Sequence, residues 1–395
     1  MATDNYLAGN DKPKFFPVAA PGEIGFRAPE IRLGDAVRLA VRSLTVMQKE
    51  ALVLGARSGQ AWRLVSDEGA YLNGHDEAPP PLAFLSTGMV SAYMTEITAL
   101  AKARGIGLRD IRLTLDNFYT MQGSALKGTM IGGADSPVLV AAIDADADRE
   151  TLTALLYDAT AASPLNGLMR HCHDGLFTLV HNGHEIAPSK VKPLGAPAMA
   201  DPNAQFDTVV PAPGDWQDLL RKGEMTPRTA ETTSAAGSSL AEQQDRRLHI
   251  RVVCTRRADG VKQIHQSMFN PQGTQFYFLS DEAPENGGKG LAPDAAGYIS
   301  AGIGFCFMTQ LGRYAKIVKS DLRAYRIIQD THFSLGGASA GTGKVGEALA
   351  PETHVYIDSG EDDDFARTLL AMGEQTCFLH AFCRTALKTK IKLAD

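Results

Sequence analysis

Separate blocks of this chain recur at a constant spacing of 214 residues, and this internal repeat restricts the possible folds more than any other feature. The segment STGMVSAYMTEITALAK at 86–102 returns as SAGIGFCFMTQLGRYAK at 300–316. The segment WRLVSDE at 62–68 returns as FYFLSDE at 276–282. Two segments of different character that share one spacing indicate a duplication, so we expect two units of the same fold.

A third block extends the repeat towards the C-terminus. Residues 155–170 align with residues 369–384 at the same spacing, through shared leucines and a shared arginine. Ahead of this block the alignment slips to a spacing of 211, which places Asp110 on Asp321. Insertions and deletions in loops account for such a slip.

Both copies predict the same order of secondary structure. A loop rich in Pro and Gly leads into a long helix at 82–104 and 295–318, and this helix is apolar on most faces, as buried helices are. Alternation of polar and apolar residues then predicts strands, as at 111–118 and 353–358. An acidic run, DADADRE or GEDDD, begins a second helix, and a short last strand follows. We therefore predict an α+β fold.

The repeat also predicts how the chain is divided. The first unit covers residues 41–186 and the second covers 247–395, after an N-terminal extension at 1–40. Residues 187–246 lie between the units and are rich in Pro, Ala, Ser and Thr, a composition typical of linkers. Each unit is long enough to bury a core of its own.

Composition excludes several classes of function. None of the 395 residues belongs to an apolar run of the roughly 18 residues that a membrane helix needs, so we expect no membrane contact. The net charge of -6 argues against a nucleic-acid partner, which requires clustered Lys and Arg. The N-terminus lacks the pattern of a secretory signal, and five cysteines are an odd number for a disulfide framework. We therefore expect a cytoplasmic protein with free thiols.

Two cysteines distinguish the second copy from the first. Cys306 lies in the middle of the second long helix, where the first copy has Ala92. Cys377 lies in the following helix, where the first copy has Ser163. A buried cysteine often acts only as a small apolar residue. Two buried helices of one unit can, however, bring two thiols within disulfide reach.

These features together resemble the OsmC/Ohr family of thiol peroxidases. The resemblance is carried by SDEAPENGGKGLAP, GYISAGIGFCF and EQTCFLHAF in the second copy, and more weakly by SDEGAYLNGHDEAPPP, LSTGMVSAYM and TAASPLNGL in the first. The family forms intertwined homodimers with two sites at the subunit interface. The resemblance therefore implies two OsmC-like units joined as a pseudo-dimer within one chain, each with an antiparallel sheet and a buried central helix.

The resemblance also implies a reaction. Cys306 would be the peroxidatic thiolate that attacks the O–O bond of a small hydrophobic hydroperoxide, and Cys377 would resolve the sulfenic acid as a disulfide. A dithiol reductant would restore both thiols, and neither a cofactor nor a metal is required. The first copy, which lacks both cysteines, would be a degenerate site.

A cation should lie near the reactive thiol, because a free thiol is mostly protonated at neutral pH. The family supplies an arginine held by an acidic residue. In this sequence Arg257, next to Arg256 in a hairpin, resembles that position, and Arg63 from the other copy is a second candidate. The family's glutamate near the start of the central helix is absent, and Ala295 and Ala296 stand there.

Two other interpretations of the function remain open. The chain is a non-catalytic binding or assembly protein that uses the cleft between the units, or Cys306 is a nucleophile towards a reactive carbonyl compound. In either case the family's cleft is retained with a different use. His380 is a possible base for Cys377. The histidines around Cys172 lack a recognised zinc spacing, so we predict no metal site.

Overall fold

The computed structural model describes residues 5–229 and 240–394, and it is an α+β protein, as predicted. Within these two ranges no helix is long and apolar enough to cross a membrane. The helices are α1 (Pro81–Ala103), α2 (Arg149–Ala162), α3 (Leu165–Arg170), α4 (Asn203–Asp207), α5 (Ala295–Val318), α6 (Asp363–Thr376) and α7 (Phe378–Arg384). The strands are β1 (Phe16–Pro17), β2 (Asp35–Ser43), β3 (Lys49–Gly55), β4 (Ala61–Ser66), β5 (Leu108–Ser124), β6 (Ile131–Ala134), β7 (Val138–Ala145), β8 (Leu176–His181), β9 (His184–Ile186), β10 (Lys192–Pro193), β11 (Leu220–Met225), β12 (Gln243–Arg256), β13 (Lys262–Asn270), β14 (Thr274–Ser280), β15 (Leu322–Phe333), β16 (Glu352–Ser359) and β17 (Lys390–Leu393).

The strands form two sheets, and each sheet mixes strands from both parts of the chain. The first sheet has the order β1-β4-β3-β2-β15-β16-β8-β10, with β9 on β8. The second has the order β11-β14-β13-β12-β5-β7-β17, with β6 on β5. The N-terminal strands β2–β4 thus join β15 and β16 in one sheet through the β2–β15 pair, while β12–β14 join β5 and β7 in the other through the β12–β5 pair. Separating the two parts of the chain would break both sheets.

Both sheets are mixed, whereas the sequence predicted antiparallel ones. β8 joins β16 in parallel, and β17 joins β7 in parallel. Each of these late strands follows a pair of helices, α2–α3 or α6–α7, that carries the chain from one sheet to the other. A helical crossover, unlike a tight hairpin turn, does not force the next strand to run antiparallel.

The strand registers of the two sheets agree at the 214-residue spacing. Ile111 on β5 lies opposite Ile143 on β7, and Tyr325 on β15 lies opposite Ile357 on β16. Both pairings also have an irregularity near the start of β5 and β15. The slip to a spacing of 211 predicted from the sequence is therefore wrong, because Asp110 corresponds to Ala324 in the sheets.

The long helices α1 and α5 have the predicted extents and pack against each other between the sheets. α1 packs on β5 and β12 of the second sheet, and α5 packs on β2 and β15 of the first. The helices approach most closely at two glycines that the repeat shares. A Cβ atom at Gly88 would lie 2.6 Å from the backbone oxygen of Ala295, and one at Gly302 would lie 2.7 Å from the backbone nitrogen of Leu85. The two glycines recur because the crossing leaves no room for a side chain at either position.

The second helices of the two copies, α2 and α6, begin at the acidic runs, as the sequence predicted. Asp148 caps α2 by accepting a hydrogen bond from the backbone N–H of Thr151 at 2.8 Å. Asp362 caps α6 by accepting one from the backbone N–H of Phe365 at 2.9 Å. Each carboxylate satisfies a backbone donor that would otherwise lack a partner at the helix start. These caps fix where each second helix enters the core.

The first sheet is covered on its outer face by the segments before β2 and between β9 and β11. A small hydrophobic core forms there, separate from the main core around α1 and α5. Phe16 and Phe26 of the N-terminal segment and Phe206 of α4 pack in it, against Leu52 and Ile328 of the sheet. β1 also pairs directly with β4. Side chains that point outwards from β2–β4 are therefore buried beneath these segments.

Candidate functional site

Cys306 and Cys377 meet in the main core as free thiols. Cys306 lies in the middle of α5 and is 2% exposed, and Cys377 lies between α6 and α7 and is 0% exposed. Their side chains lie close enough for each thiol to act on the pKa of the other. A contact between two thiols brings both sulfurs to the separation from which a disulfide can form.

The sequence predicted that Cys377 lies inside a helix. In the structure it lies at a break between two helices, α6 and α7. It ends α6 and begins α7 with an extended backbone (φ -71°, ψ 119°). Its Sγ atom accepts a hydrogen bond from the backbone N–H of His380 at 3.4 Å. Gly132 on β6 packs directly against this break, where a Cβ would lie 2.5 Å from the Thr376 oxygen. The break turns the sulfur towards Cys306 and gives it a backbone donor.

The surroundings of the pair favour Cys377 as the thiolate. Burial opposes ionisation, but the hydrogen bond from Cys306 and the neighbouring His380 hold the pKa of Cys377 well below its usual value. Burial and the adjacent Cys377 raise the pKa of Cys306 well above its usual value. The two thiols thus shift each other's pKa in opposite directions, as expected for two interacting acidic groups.

His380 is positioned to influence the pair because its ring is confined beside it. The ring is buried against Phe177 and Phe307, with centroid distances of 5.7 and 5.1 Å. Within the part of the chain that the structure describes, neither ring nitrogen has a hydrogen-bond partner of good geometry. His380 stays close enough to Cys377 to lower the pKa of that thiol.

The two predicted arginines have other partners. Arg63 is buried and pairs with Glu50 at 2.7 Å, beneath the ring of Phe16. It points away from the central helices because alternate residues of β4 face opposite sides of the sheet. Arg257 lies at the tip of the hairpin between β12 and β13, half exposed, and pairs with Asp259 at 2.9 Å. Neither arginine is brought into contact with the thiols.

A buried lysine supplies a positive charge nearer to the thiols. Lys49, at the start of β3, is fully buried and donates a hydrogen bond to the backbone oxygen of Met47 at 3.0 Å. Burial lowers its pKa to about 8, although Glu68, Asp67 and Cys306 act in the opposite direction. Sequence reasoning missed this residue, because a lysine at the start of an apolar strand reads as a surface residue.

The recurring SDE segment holds the acidic partner of this lysine. Glu68 is buried and accepts a hydrogen bond from the Tyr71 hydroxyl at 2.7 Å. Its charge acts on both Lys49 and Cys306. The carboxylate near the thiols therefore comes from the SDE segment and not from the central helix. The identity of SDE in both copies was the signal for it.

The first copy's site has an equivalent group of one lysine, one glutamate and one threonine. Lys262 pairs with Glu282 at 2.8 Å and donates a hydrogen bond to Thr95 of α1 at 2.7 Å. Glu282 and Thr95 are the residues equivalent to Glu68 and Thr309 at the 214-residue spacing. Both copies thus keep the lysine, glutamate and threonine, and only one keeps the thiols.

Within residues 5–229 and 240–394, no three His, Cys, Asp or Glu side chains are grouped closely enough to hold a metal ion. The other two buried thiols, Cys254 and Cys383, both have a pKa raised by burial. Cys254 is buried in β12, where burial raises its pKa to about 12, and Cys172 is exposed. The chemistry available at Cys306 and Cys377 is therefore that of a buried dithiol.

Comparisons with known proteins are sparse. No family model and no curated protein matches the chain. A solved structure that is similar to part of it is an OsmC-like hydroperoxide resistance protein from Jannaschia sp. CCS1. The two share 22% identity, and the match covers 34% of this chain and 85% of that one with a TM-score of 0.21. At this TM-score the similarity carries no weight for fold or function, which rest on the site itself.

Proposed function

We propose that this chain is a fused pseudo-dimer of two OsmC/Ohr-like units and reduces an organic hydroperoxide with the dithiol of Cys306 and Cys377. The observation that carries the proposal is the contact between two free, buried thiols, one of which has a lowered pKa. The exchange of strands between the sheets and their shared register support the pseudo-dimer. Only one of its two sites retains thiols.

The reaction needs only the two sulfurs, a hydroperoxide and an external dithiol. A thiolate attacks the O–O bond, an S–O bond forms as the O–O bond breaks, and the alkoxide takes a proton and leaves as the alcohol. The second sulfur then attacks the sulfenic sulfur, which forms the disulfide and releases water. A dithiol reductant returns two electrons and two protons by thiol–disulfide exchange.

We assign the reduced pair's negative charge to Cys377, which reverses the roles that the family resemblance implies. The hydrogen bonds from Cys306 and from the backbone of His380, together with the His380 ring, all stabilise a thiolate at that sulfur. At Cys306, burial, Cys377 and Glu68 raise the pKa and outweigh a hydrogen bond from the backbone of Leu379, which lowers it. In this assignment Cys377 attacks the peroxide and Cys306 resolves the sulfenic acid.

Peroxide consumption with a dithiol reductant tests the function. Cys306→Ser and Cys377→Ser should each abolish turnover, and Cys172→Ser, at an exposed thiol, should leave it unchanged. Mass spectrometry of the peroxide-treated protein should find a disulfide between Cys306 and Cys377. Full turnover in either active-site variant would falsify the proposal.

Trapping the sulfenic acid with dimedone tests the assignment of roles separately. If Cys377 attacks, Cys306→Ser should accumulate the adduct at Cys377, and Cys377→Ser should form little adduct. The opposite pattern would keep the peroxidase reaction but return the attacking role to Cys306.

A further inference from the structure

A cavity with a volume of about 600 Å³ lies on the outer face of the second sheet. Three arginines, Arg112, Arg221 and Arg257, line it together with His265 and Tyr277. This volume falls within the range of about 300–1,000 Å³ that is common for small-molecule sites. The thiols lie on the other side of this sheet, in the main core. The cavity is therefore separate from the dithiol site.

The matching face of the first sheet is covered. Leu52 on β3 lies opposite Arg63 on β4 and is buried in the small outer core that contains Phe16. On the second sheet, His265 on β13 lies opposite Tyr277 on β14, and both side chains are only partly buried. Within residues 5–229 and 240–394, only the strands of this sheet and the short segments that adjoin them line the cavity. No described segment therefore fills the place that Phe16 fills on the first sheet.

Two of the arginines approach one pair of stacked rings from opposite sides. Arg221 on β11 lies opposite Tyr277, and its guanidinium carbon is 5.1 Å from the centre of that ring. The ring of His265 stacks on Tyr277 with a centroid distance of 4.5 Å. Arg112 comes from β5, which three strands separate from β11 in the sheet order. Burial and the nearby charge of Arg112 lower the pKa of His265, although Gln275 acts in the opposite direction.

The positive charge of the cavity wall is only partly neutralised. Arg257 pairs with Asp259 at 2.9 Å, but Arg112 and Arg221 form no ion pair within the part of the chain that the structure describes. Asp218, the one acidic residue among the described lining residues, is exposed and pairs with neither. Other arginines of the two sheets do have carboxylate partners, as in the pairs Arg38–Asp330, Arg251–Asp116 and Arg326–Asp201. An anion is therefore attracted to this cavity.

The groups between the two arginines suit the middle and the ends of one ligand. His265 lines the cavity, and its Nε2 atom has no hydrogen-bond partner within the described ranges. Val253 and Leu279 add apolar side chains to the same wall. A guanidinium group binds a carboxylate through two parallel hydrogen bonds. Two guanidinium groups that arrive from opposite sides favour two separate acid groups over a single one.

We propose that this cavity binds a small organic dianion of the dicarboxylate class, with one acid group at each end of a short apolar body. One carboxylate lies at Arg221 and the other at Arg112, on either side of the Tyr277–His265 pair. The apolar body packs on Val253 and Leu279. A monocarboxylate engages one arginine at a time, and a neutral diol engages neither charge. Binding at this site does not require the dithiol reaction.

Calorimetric titration of the full chain with suberate tests the proposal, with octanoate and 1,8-octanediol as probes of the same chain length. Suberate should bind about tenfold or more tightly than octanoate, because its second carboxylate forms a further hydrogen-bonded charge pair. The diol should bind more weakly than suberate by a larger factor. Equal affinity for suberate and octanoate, or no binding of suberate, would overturn the proposal.

Two variants locate the binding site. Arg112→Gln and Arg221→Gln each remove one charge and keep a long polar side chain, and each should weaken suberate binding about tenfold. Arg323→Gln is the matched control, because Arg323 is an exposed arginine of the first sheet that pairs with Asp321 at 2.7 Å. It should leave the affinity within about twofold of the parent. Equal loss in Arg323→Gln, or full affinity in either cavity variant, would contradict a site that spans both arginines.

Discussion

The backbone N–H of His380 donates a hydrogen bond to the sulfur of Cys377 at 3.4 Å, so the cysteine caps the helix that carries the histidine. This one-turn relationship places the imidazole beside the thiol without any need for a long-range contact. The thiol is at the same time in contact with Cys306. Local geometry therefore supplies one stabiliser of the thiolate, and tertiary packing supplies the other.

Replacing His380 should raise the pKa of the thiol pair. His380→Asn introduces the residue that the first copy carries at Asn166, so the side chain is one that this fold accommodates. Loss of the ring removes a group that lowers the pKa of Cys377, so the apparent pKa of the pair should rise. Ultraviolet titration of the thiolate measures this change. An unchanged titration midpoint would show that His380 only packs beside the sulfur.

Arg257→Ala should leave peroxide turnover within about twofold of the parent, because Arg257 pairs with Asp259 at a hairpin tip. Lys49→Met is the informative comparison, since the charge of Lys49 interacts with Cys306. It should slow turnover several-fold by removing a positive charge near the thiol pair. Steady-state kinetics of both variants measure the two effects. Slow turnover in Arg257→Ala together with normal turnover in Lys49→Met would show that Arg257, and not Lys49, supports the reaction.

The glycines at the helix crossing should be sensitive to a single methyl group. Gly88→Ala and Gly302→Ala should each lower the free energy of unfolding by about 1–3 kcal/mol, because the added Cβ meets backbone atoms of the facing helix. Gly373→Ala is a milder control, because its Cβ meets the flexible end of the Leu311 side chain. Urea unfolding measures all three. Equal losses at the three sites would argue against a tight crossing.

Ionisation of Asp294 should make stability depend on pH. Burial and the neighbouring Glu282 raise its pKa from 3.8 to about 7, with Asp35 adding to the effect and Lys262 opposing it. The folded chain therefore holds this proton more tightly than the unfolded chain, and stability falls as pH rises from about 4 to about 7.

Asp294→Asn should remove that dependence and raise stability at pH 8. The gain is at most about 4 kcal/mol, because a tenfold change in acidity is worth about 1.4 kcal/mol. Little difference from the parent is expected at pH 3, where the carboxyl is neutral in both states. Urea unfolding at the two pH values measures the effect, with Asp362→Asn as the matched cap. A gain that is equal at both pH values would refute the titration of Asp294.

Much of the architecture could be read from the sequence because it is encoded within short segments. The extents of α1 and α5 follow from long apolar runs, and the starts of α2 and α6 follow from the capping aspartates Asp148 and Asp362. The repeat singled out Cys306 and Cys377, since a duplicated fold makes any difference between equivalent positions conspicuous. The α+β class follows from the same segments.

Tertiary structure alone decided which groups surround the thiols. Sequence reasoning chose Arg63 and Arg257 and missed Lys49, because the face to which a strand residue points depends on which side of the sheet the helices occupy. The helix break at Cys377 was likewise set by packing between distant segments, as were the parallel pairing of β8 with β16 and that of β17 with β7. Short-range sequence patterns determine the helices and strands. The side chains that surround a buried charge are set by contacts between distant segments, which no local pattern encodes.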